Sequence, residues 1–600
     1  MAALRKAQMS NGDACAATMS KVDNSWQSMA GLAARLGSVR LFAALDEPTR
    51  IRIATELEWF SLPGGAVLYT EGETPDAFFV VLSGLLGIVS GPLSERSESF
   101  VDVRPGECVG HVGMLSDKPH SGTAIALRDS TLGRIAKPVF ERLVALYPVF
   151  MLNLATELVE WTFRPPSRAL LRNARRTAAL LPVGGEPPSR LAMPLKAALE
   201  KMGRSVAVLD VADHGKLEDE YDAIEFAHDM TLYCGETSAS SWTHLCLRRA
   251  DRVLFVADAT ATPQRPEIWA TIERLPWRRI VLVLMQEATR PLPAPAAPWL
   301  RAVPAQFHRH CRRDGQRDVA RLARYLIDGA IGLVLSGGGA RAYGHIGVVQ
   351  ALNEAGIEFD LLGGTSMGAI VAAGIAYGWS NDELRERMLE AFVRSNPLHD
   401  LTLPILALTK GRQVSSRLRQ HFGISRIEDL WLPFFTVSSN LTTGKVQIHQ
   451  NGLVWRALRA SVAIPGLLPP SIENGEVLVD GAVMNNLPAE VMSAVSHGPV
   501  IGVDVGRRED FRPVKRGWLA HLLLGEDAEA PSIATLLLRA GTIASEAQTQ
   551  ISRENVDLLI EPALDQIGMR DWKSFDRAIE AGYRHAAQML ANTDLSIFRN

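Results

Sequence analysis

Cysteine is scarce in this 600-residue chain. The five present, Cys15, Cys108, Cys234, Cys246 and Cys311, are scattered, odd in number and free of C-x-x-C spacing, which excludes a disulfide framework or a structural zinc site and fits a reducing compartment. Charge of one sign is lacking too, with 63 Lys plus Arg against 66 Asp plus Glu. No global basic field exists to hold nucleic acid, so none is expected as a partner. The opening "MAALRKAQMSNGDACAATMSK" contains no continuous apolar stretch and does not read as a secretory signal. Cytoplasmic residence is the resulting expectation, with peripheral attachment to the inner membrane face as its variant. The only His/Cys cluster, His308 to Cys311, reads as a solvated basic loop. No oxygen-rich loop has metal-ligand spacing, so neither a metal nor a cofactor is expected.

What the chain does have is one long run without formal charge, "LLGGTSMGAIVAAGIAYGW", nineteen residues from Leu361 to Trp379. Its length admits a membrane-spanning helix, and Gly364-x-x-x-Gly368 is a helix-packing motif in that setting. Composition argues otherwise, because five of the nineteen are glycine and the following "SNDELRERMLE" reads as the capped start of an amphipathic helix. The same residues contain Gly364-Thr365-Ser366-Met367-Gly368, a G-x-S-x-G. A nucleophilic serine on a strained strand-to-helix turn needs small neighbours, since a Cβ on either flank would strike backbone. "IEFDLLGG" before Ser366 predicts a short buried strand, and "MGAIVAAGIAYG" after it a small-residue helix packed on a sheet.

Six hundred residues predict three or four domains. After an N-terminal segment (1–37), residues 38–160 show short apolar runs with glycine punctuation, which predicts a small antiparallel β-barrel or jelly roll closed by helices. This region resembles the cyclic-nucleotide-binding domain family, whose turn glycines match Gly64, Gly65, Gly72, Gly84 and Gly106. The family's phosphate cassette, Gly-Glu followed by Arg-Ser-Ala, is replaced by Gly110-His111 and His120-Ser121-Gly122. Without the acid for the ribose and the arginine for the cyclic phosphate, the domain is expected to bind cyclic nucleotides weakly or not at all.

Residues 175–327 carry apolar, β-branched runs starting at Thr177, Ser205, Met230, Arg252 and Arg278, separated by helical stretches, which predicts a parallel α/β layer. Its first loop, "PVGGEPPS", has neither G-x-G-x-x-G nor G-K-[ST], so docking rather than nucleotide binding is expected of it.

A second α/β region spans 328–505, followed by a helical extension over 506–600. It opens with "IGLVLSGGGARAYGHIGVVQAL", a strand, three glycines (Gly337, Gly338, Gly339) and a helix. Backbone N–H groups at such a junction form an anion site. Two uses compete. Gly337-x-Gly339-x-x-Ala342 with Asp360 about twenty residues on also satisfies a loose dinucleotide fingerprint, which would make the chain a nucleotide-dependent oxidoreductase or sensor. An oxyanion hole for attack by Ser366 fits better, because the apolar run continues past Asp360 into the serine turn. The base is sought in "VLVDGAVMNNLP", where Asp480 ends a strand and Gly481 allows a tight turn. Alone, an Asp-Gly more often marks a hairpin.

"SGGGAR", then G-T-S-M-G, then a strand-borne D-G-A, together with "HIGVVQAL" and "NNLP", resemble the patatin-like phospholipase family. The cyclic-nucleotide-like module ahead of an α/β region resembles its neuropathy-target-esterase-like subgroup. The resemblance implies an α/β/α hydrolase domain and a serine esterase acting on phospholipid or lysophospholipid, with a membrane surface as a further partner. It makes Ser366 the nucleophile, Asp480 the base, Gly337, Gly338, Gly339 and Arg341 the oxyanion loop, and Gly364 and Gly368 the flanks of the elbow. The family's G-G-G-x-R-G here ends in Ala342, tolerable if that position is already helical. A Ser-His-Asp triad is the alternative, with His497, His521 or His585 following Asp480, while His345 is expected to serve packing or hydrogen bonding. "LTLPILALTKGRQVSSRL" and "ASVAIPGLLPP" are suited to line an acyl pocket or the core. A catalytically weak lipid-binding scaffold is the remaining alternative function.

Overall fold

The computed structural model describes residues 20–21, 36–37, 39–89, 101–116, 118–162, 176–273, 279–395, 400–402, 407–496, 498–506, 545, 548–564 and 566–599, with the side chains of 20–21, 157–162 and 219 set aside. The chain forms two compact units, 1–285 with 300–308 and 286–299 with 309–600.

The first unit begins with a seven-stranded antiparallel sheet built around two long strands, Ala77–Val89 and Thr123–Ala136. Their register slips three times between Val81 and Leu86. Such bulges bend a pair of strands sharply, which lets a short sheet curl on itself. Gly84 sits in this crossing with φ +99°, and a Cβ there would overlap Ser130. Helices Lys137–Leu146 and Pro148–Thr162 follow, with Phe140 packed against both Phe78 and Phe150.

The α/β layer of this unit is a parallel sheet with Arg176–Val183 at its centre, buried at all eight positions. A strand covered on both faces needs a continuous apolar run, which "TAALLPV" supplies. Arg128 of the antiparallel sheet reaches Glu225 at 2.6 Å and Asp251 at 2.8 Å in this layer. Arg249 joins the same cluster through Glu225 and Asp222, and the Tyr233 hydroxyl donates to Glu225 at 2.7 Å. Burial works to raise the Glu225 carboxyl, but Arg128 and Arg249 overrule it and hold it below its ordinary value.

One expectation fails in this sheet. His308 to Cys311 is no solvated loop but part of an added strand, Phe307–Arg312. Its charged residues hid the run, yet His310 and Cys311 are buried. The His310 ring nitrogens lie 2.9 Å from Gln286 Nε2 and 3.0 Å from the Glu428 carbonyl.

The second unit holds an eight-stranded mixed sheet: β1 (Gly332–Leu335), β2 (Leu361–Thr365), β3 (Phe434–Asn440), β4 (Lys445–His449), β5 (Ser471–Glu473), β6 (Glu476–Asp480), β7 (Val500–Val503) and β8 (Leu558–Ile560). The order is β5-β6-β3-β2-β1-β7-β8, with β4 also paired to β3. Strands β3, β2, β1, β7 and β8 are parallel, and β4, β5 and β6 add antiparallel pairs. The principal helices are α1 (Gly344–Glu354), α2 (Ser366–Tyr377), α3 (Val454–Ser461) and α4 (Phe575–Ala591). The region 506–600 is therefore not purely helical: "LLI" at β8 extends the sheet alongside β7.

The uncharged run from Leu361 resolves into β2, a sharp turn and the twelve-residue α2, nearly all buried. Among the described residues no single helix is long and apolar enough to cross a membrane; the bent pair Lys137–Leu146 and Pro148–Thr156 passes by length and composition only.

Candidate active site

Ser366 joins β2 to α2 with φ +55°, a left-handed conformation that costs a side-chain-bearing residue on the order of 1–3 kcal/mol and persists only where its surroundings enforce it. Those surroundings are visible. A Cβ at Gly364 would lie 2.9 Å from the Leu335 carbonyl oxygen, and one at Gly368 2.6 Å from that oxygen and closer still to that of Ser336. The turn thus packs directly onto the end of β1, which is why both flanks of the serine must be glycine. The Ser366 N–H donates to Ser461 Oγ at 2.9 Å. The Ser461 and Thr436 hydroxyls are 2.9 Å apart, and Thr436 Oγ1 donates to the Gly364 carbonyl at 3.0 Å.

Asp480 ends β6 opposite Ser438 of β3. Its Oδ2 accepts from Ser366 Oγ at 2.7 Å and its Oδ1 from the Ala482 N–H at 2.9 Å. Ser439 Oγ donates to the Asp480 carbonyl at 2.9 Å and accepts from the Met484 N–H at 3.1 Å, fixing the Asp-Gly turn from below. The carboxylate is buried, and burial pushes it up to about 6, while the bonds from Ala482 and Ser366 hold it back.

Among the described residues, Ser366 Oγ is hydrogen-bonded to Asp480 alone. His345 is fully buried, with Nε2 2.8 Å from the Ser336 carbonyl, as expected of a packing residue. His585 lies on α4; His497 and His521 lie outside the described residues.

In the glycine loop, the Gly337 N–H is taken by Asn486, 3.1 Å from its Oδ1. The N–H groups of Gly338 and Gly339 have no acceptor among the described residues. Ala342 lies within the helical turn Gly339–Tyr343 without positive φ, so its methyl is accommodated. Arg341 Nε donates to the Ile567 carbonyl at 2.8 Å. Asp360, the ribose acid of the dinucleotide alternative, is buried and bound by Arg324 Nε (2.9 Å), Arg324 Nη2 (2.7 Å) and the Ile331 N–H (2.7 Å). Three of its roughly four acceptor positions are thus taken inside the protein, which makes it a buried structural carboxylate rather than one presented to a ribose.

The apolar segments near the site meet each other: Leu408 and Thr409 N–H donate to the Gly466 and Leu467 carbonyls, and Ala463 O accepts the Asp480 N–H at 3.0 Å. Residues 403–406 of the first segment lie outside the described residues. In the first unit, His120 stacks on Tyr69 with centroids 3.7 Å apart, and burial lowers its ring against the pull of Glu73 and Asp76. His111 is buried and pushed down to about 4. Neither offers the fixed positive charge that a phosphate needs.

Sequence reasoning missed Ser461, Thr436 and Ser439. Each is a single hydroxyl with no spacing signature. Asn486 carried a signal in "NNLP", without indicating what it would hold.

Residues 333–493 match the patatin-like phospholipase family, residues 59–147 the cyclic nucleotide-binding domain, and residues 174–326 the Neuropathy Target Esterase family P-loop like domain. The family matches make the chain a carboxylic ester hydrolase of the patatin-like kind. An uncharacterized NTE family protein of Mycobacterium tuberculosis is 31% identical over 585 residues, covering 93% of this chain and 97% of the relative. The chain belongs to the neuropathy target esterase (NTE) family. It is also similar to the mouse patatin-like phospholipase domain-containing protein 6 (28% identical, 92% of this chain) and to lysophospholipase NTE1 of Yarrowia lipolytica (27%, 89% of this chain), each of which it spans over 46% of their length.

Proposed function

We propose that this chain hydrolyses acyl esters of phospholipids or lysophospholipids through a Ser366–Asp480 dyad, at a cytoplasmic lipid surface. The observation that carries the reading is the 2.7 Å bond between Ser366 Oγ and a buried carboxylate raised to about 6. A carboxylate at its ordinary value of roughly 4 is a feeble base near neutral pH, and desolvation corrects this.

Asp480 takes the Ser366 proton as Oγ attacks the ester carbonyl carbon. The oxyanion that forms is met by the Gly338 and Gly339 N–H groups, the two donors of the loop left without an acceptor among the described residues. Collapse breaks the ester C–O bond, and Asp480 returns its proton to the departing glyceryl oxygen. Water then attacks the acyl-serine, giving a proton to Asp480, and the second collapse releases fatty acid and restores the serine. Lipid specificity is supported by the phospholipase and lysophospholipase names of the relatives and by the apolar segments around Gly466 and Leu408.

The test is release of fatty acid from lysophosphatidylcholine and phosphatidylcholine vesicles. Ser366→Ala and Asp480→Asn should each lose activity by about 10³-fold or more; turnover by Ser366→Ala equal to wild type would refute the dyad. For the N-terminal module we propose a regulatory or structural role without cyclic nucleotide. The support is the His120–Tyr69 stack and the uncharged His111; calorimetric binding of cAMP or cGMP in the micromolar range would overturn it.

A further inference from the structure

The glycine loop is held from a part of the chain that lies beyond the family match ending at residue 493. The Ala340 N–H donates to the Met569 carbonyl at 2.9 Å, and Arg341 Nε donates to the Ile567 carbonyl at 2.8 Å. Gly339 approaches the same turn so closely that a Cβ there would collide with the Met569 carbonyl oxygen, and its φ is +57°. Successive loop residues therefore face one short turn, Ile567 to Met569. Gly338 and Gly339 carry the two N–H groups of the loop without acceptors among the described residues.

The turn is itself anchored. Tyr343, at the end of the loop, packs edge-on against Phe575 (4.7 Å) and Trp572 (6.1 Å). Helix α4 lies against α1 at glycine contacts: a Cβ at Gly347 would strike the Ile579 carbonyl, and one at Gly582 the Gly344 carbonyl. Only backbones this close can transmit the position of α4 to the loop with little play.

We propose that the Ile567–Met569 turn is part of the oxyanion machinery. Arg341 is then a positioning residue that fastens the loop to it, and not a donor to the substrate. The proposal rests on the serine-esterase reading above. Its physical basis is that oxyanion stabilisation depends on donors preorganised to within a fraction of an ångström, and a loop of three glycines has no stiffness of its own.

The test compares the full chain with Arg341→Met, which keeps an unbranched side chain but removes the Nε donor, and with Arg341→Lys, whose ammonium cannot reproduce a guanidinium bond. Each sample is titrated with a fluorophosphonate, and kcat is expressed per labelled Ser366, so a misfolded fraction does not count. KM for lysophosphatidylcholine and inhibition by a long-chain trifluoromethyl ketone, which adds to a serine as a tetrahedral oxyanion, complete the set. Both variants should lose kcat by roughly 10²-fold with KM within about twofold of wild type, and the ketone should weaken in proportion to kcat/KM. A kcat per labelled site unchanged from wild type would overturn the proposal, as would a fall in kcat with the ketone's inhibition intact. Absence of Ser366 labelling in the wild-type chain would instead overturn the nucleophile assignment, and this inference with it.

Discussion

Replacing Asp480 with asparagine should make the enzyme inactive and, at alkaline pH, more stable. Burial moves this carboxyl from 3.8 to about 6. At 1.36 kcal/mol per pH unit, ionised Asp480 therefore costs the folded state about 3 kcal/mol. The sign follows from proton binding. The native state holds the proton more tightly than the unfolded chain, so this contribution to stability is favourable at low pH, is lost between about 4 and 6, and stays lost above. Asparagine carries no charge to desolvate, can accept from Ala482 through Oδ1 and can offer Nδ2 to Ser366 Oγ. We expect Asp480→Asn to raise the stability of the hydrolase unit by about 1–3 kcal/mol at pH 8, with the gain shrinking towards zero near pH 4. Calorimetric unfolding of wild type and variant at both pH values measures it. A variant less stable at pH 8, or a gap equal at the two pH values, would refute the claim that a desolvated carboxylate sits in the site.

The same raised carboxyl sets the rate profile: kcat/KM should climb with pH and level off above about 6, and a profile still flat at pH 5 would contradict Asp480 as the base. Ser461→Ala leaves the buried Ser366 N–H without its acceptor; a loss of about 1–3 kcal/mol in stability is expected in urea unfolding, together with a lower kcat. Gly368→Ala places a methyl against the Leu335 and Ser336 carbonyls, and should abolish fluorophosphonate labelling even in protein that remains soluble. In the first unit, Arg128→Met leaves Glu225 and Asp251 without that partner and should destabilise it by about 3–5 kcal/mol. Because Glu225 is held below its ordinary value, the stability it contributes exists above the unfolded carboxyl range and fades as acid protonates it, so the Arg128→Met penalty should diminish on acidification.

The serine turn and the strand-end carboxylate were legible because their geometry forces local sequence. A serine at positive φ between two backbones leaves no choice but glycine at 364 and 368, and a carboxylate at a strand end needs the turn that Gly481 permits. The glycine loop was readable as a strand-to-helix junction, yet the hydrogen bonds that hold it were not. Gly337 is spent on Asn486, 149 residues away, and Arg341 on Ile567, 226 residues away, and no local pattern encodes such partners. Ser461 and Thr436 were invisible for the same reason. Phe307–Arg312 was misread because His308, Arg309, His310 and Arg312 interrupt the run, although the strand buries His310 and Cys311. Strand β8 was missed because three residues, Leu558–Ile560, are too few to establish a period.

Covalent labelling decides whether Ser366 is a nucleophile activated by Asp480. The purified full chain would be treated with a fluorophosphonate, digested and mapped by mass spectrometry beside Ser366→Ala and Asp480→Asn. One adduct is expected, on Ser366, absent from Ser366→Ala and formed far more slowly in Asp480→Asn. An adduct on another residue, or labelling of Ser366 at the wild-type rate in Asp480→Asn, would contradict that role.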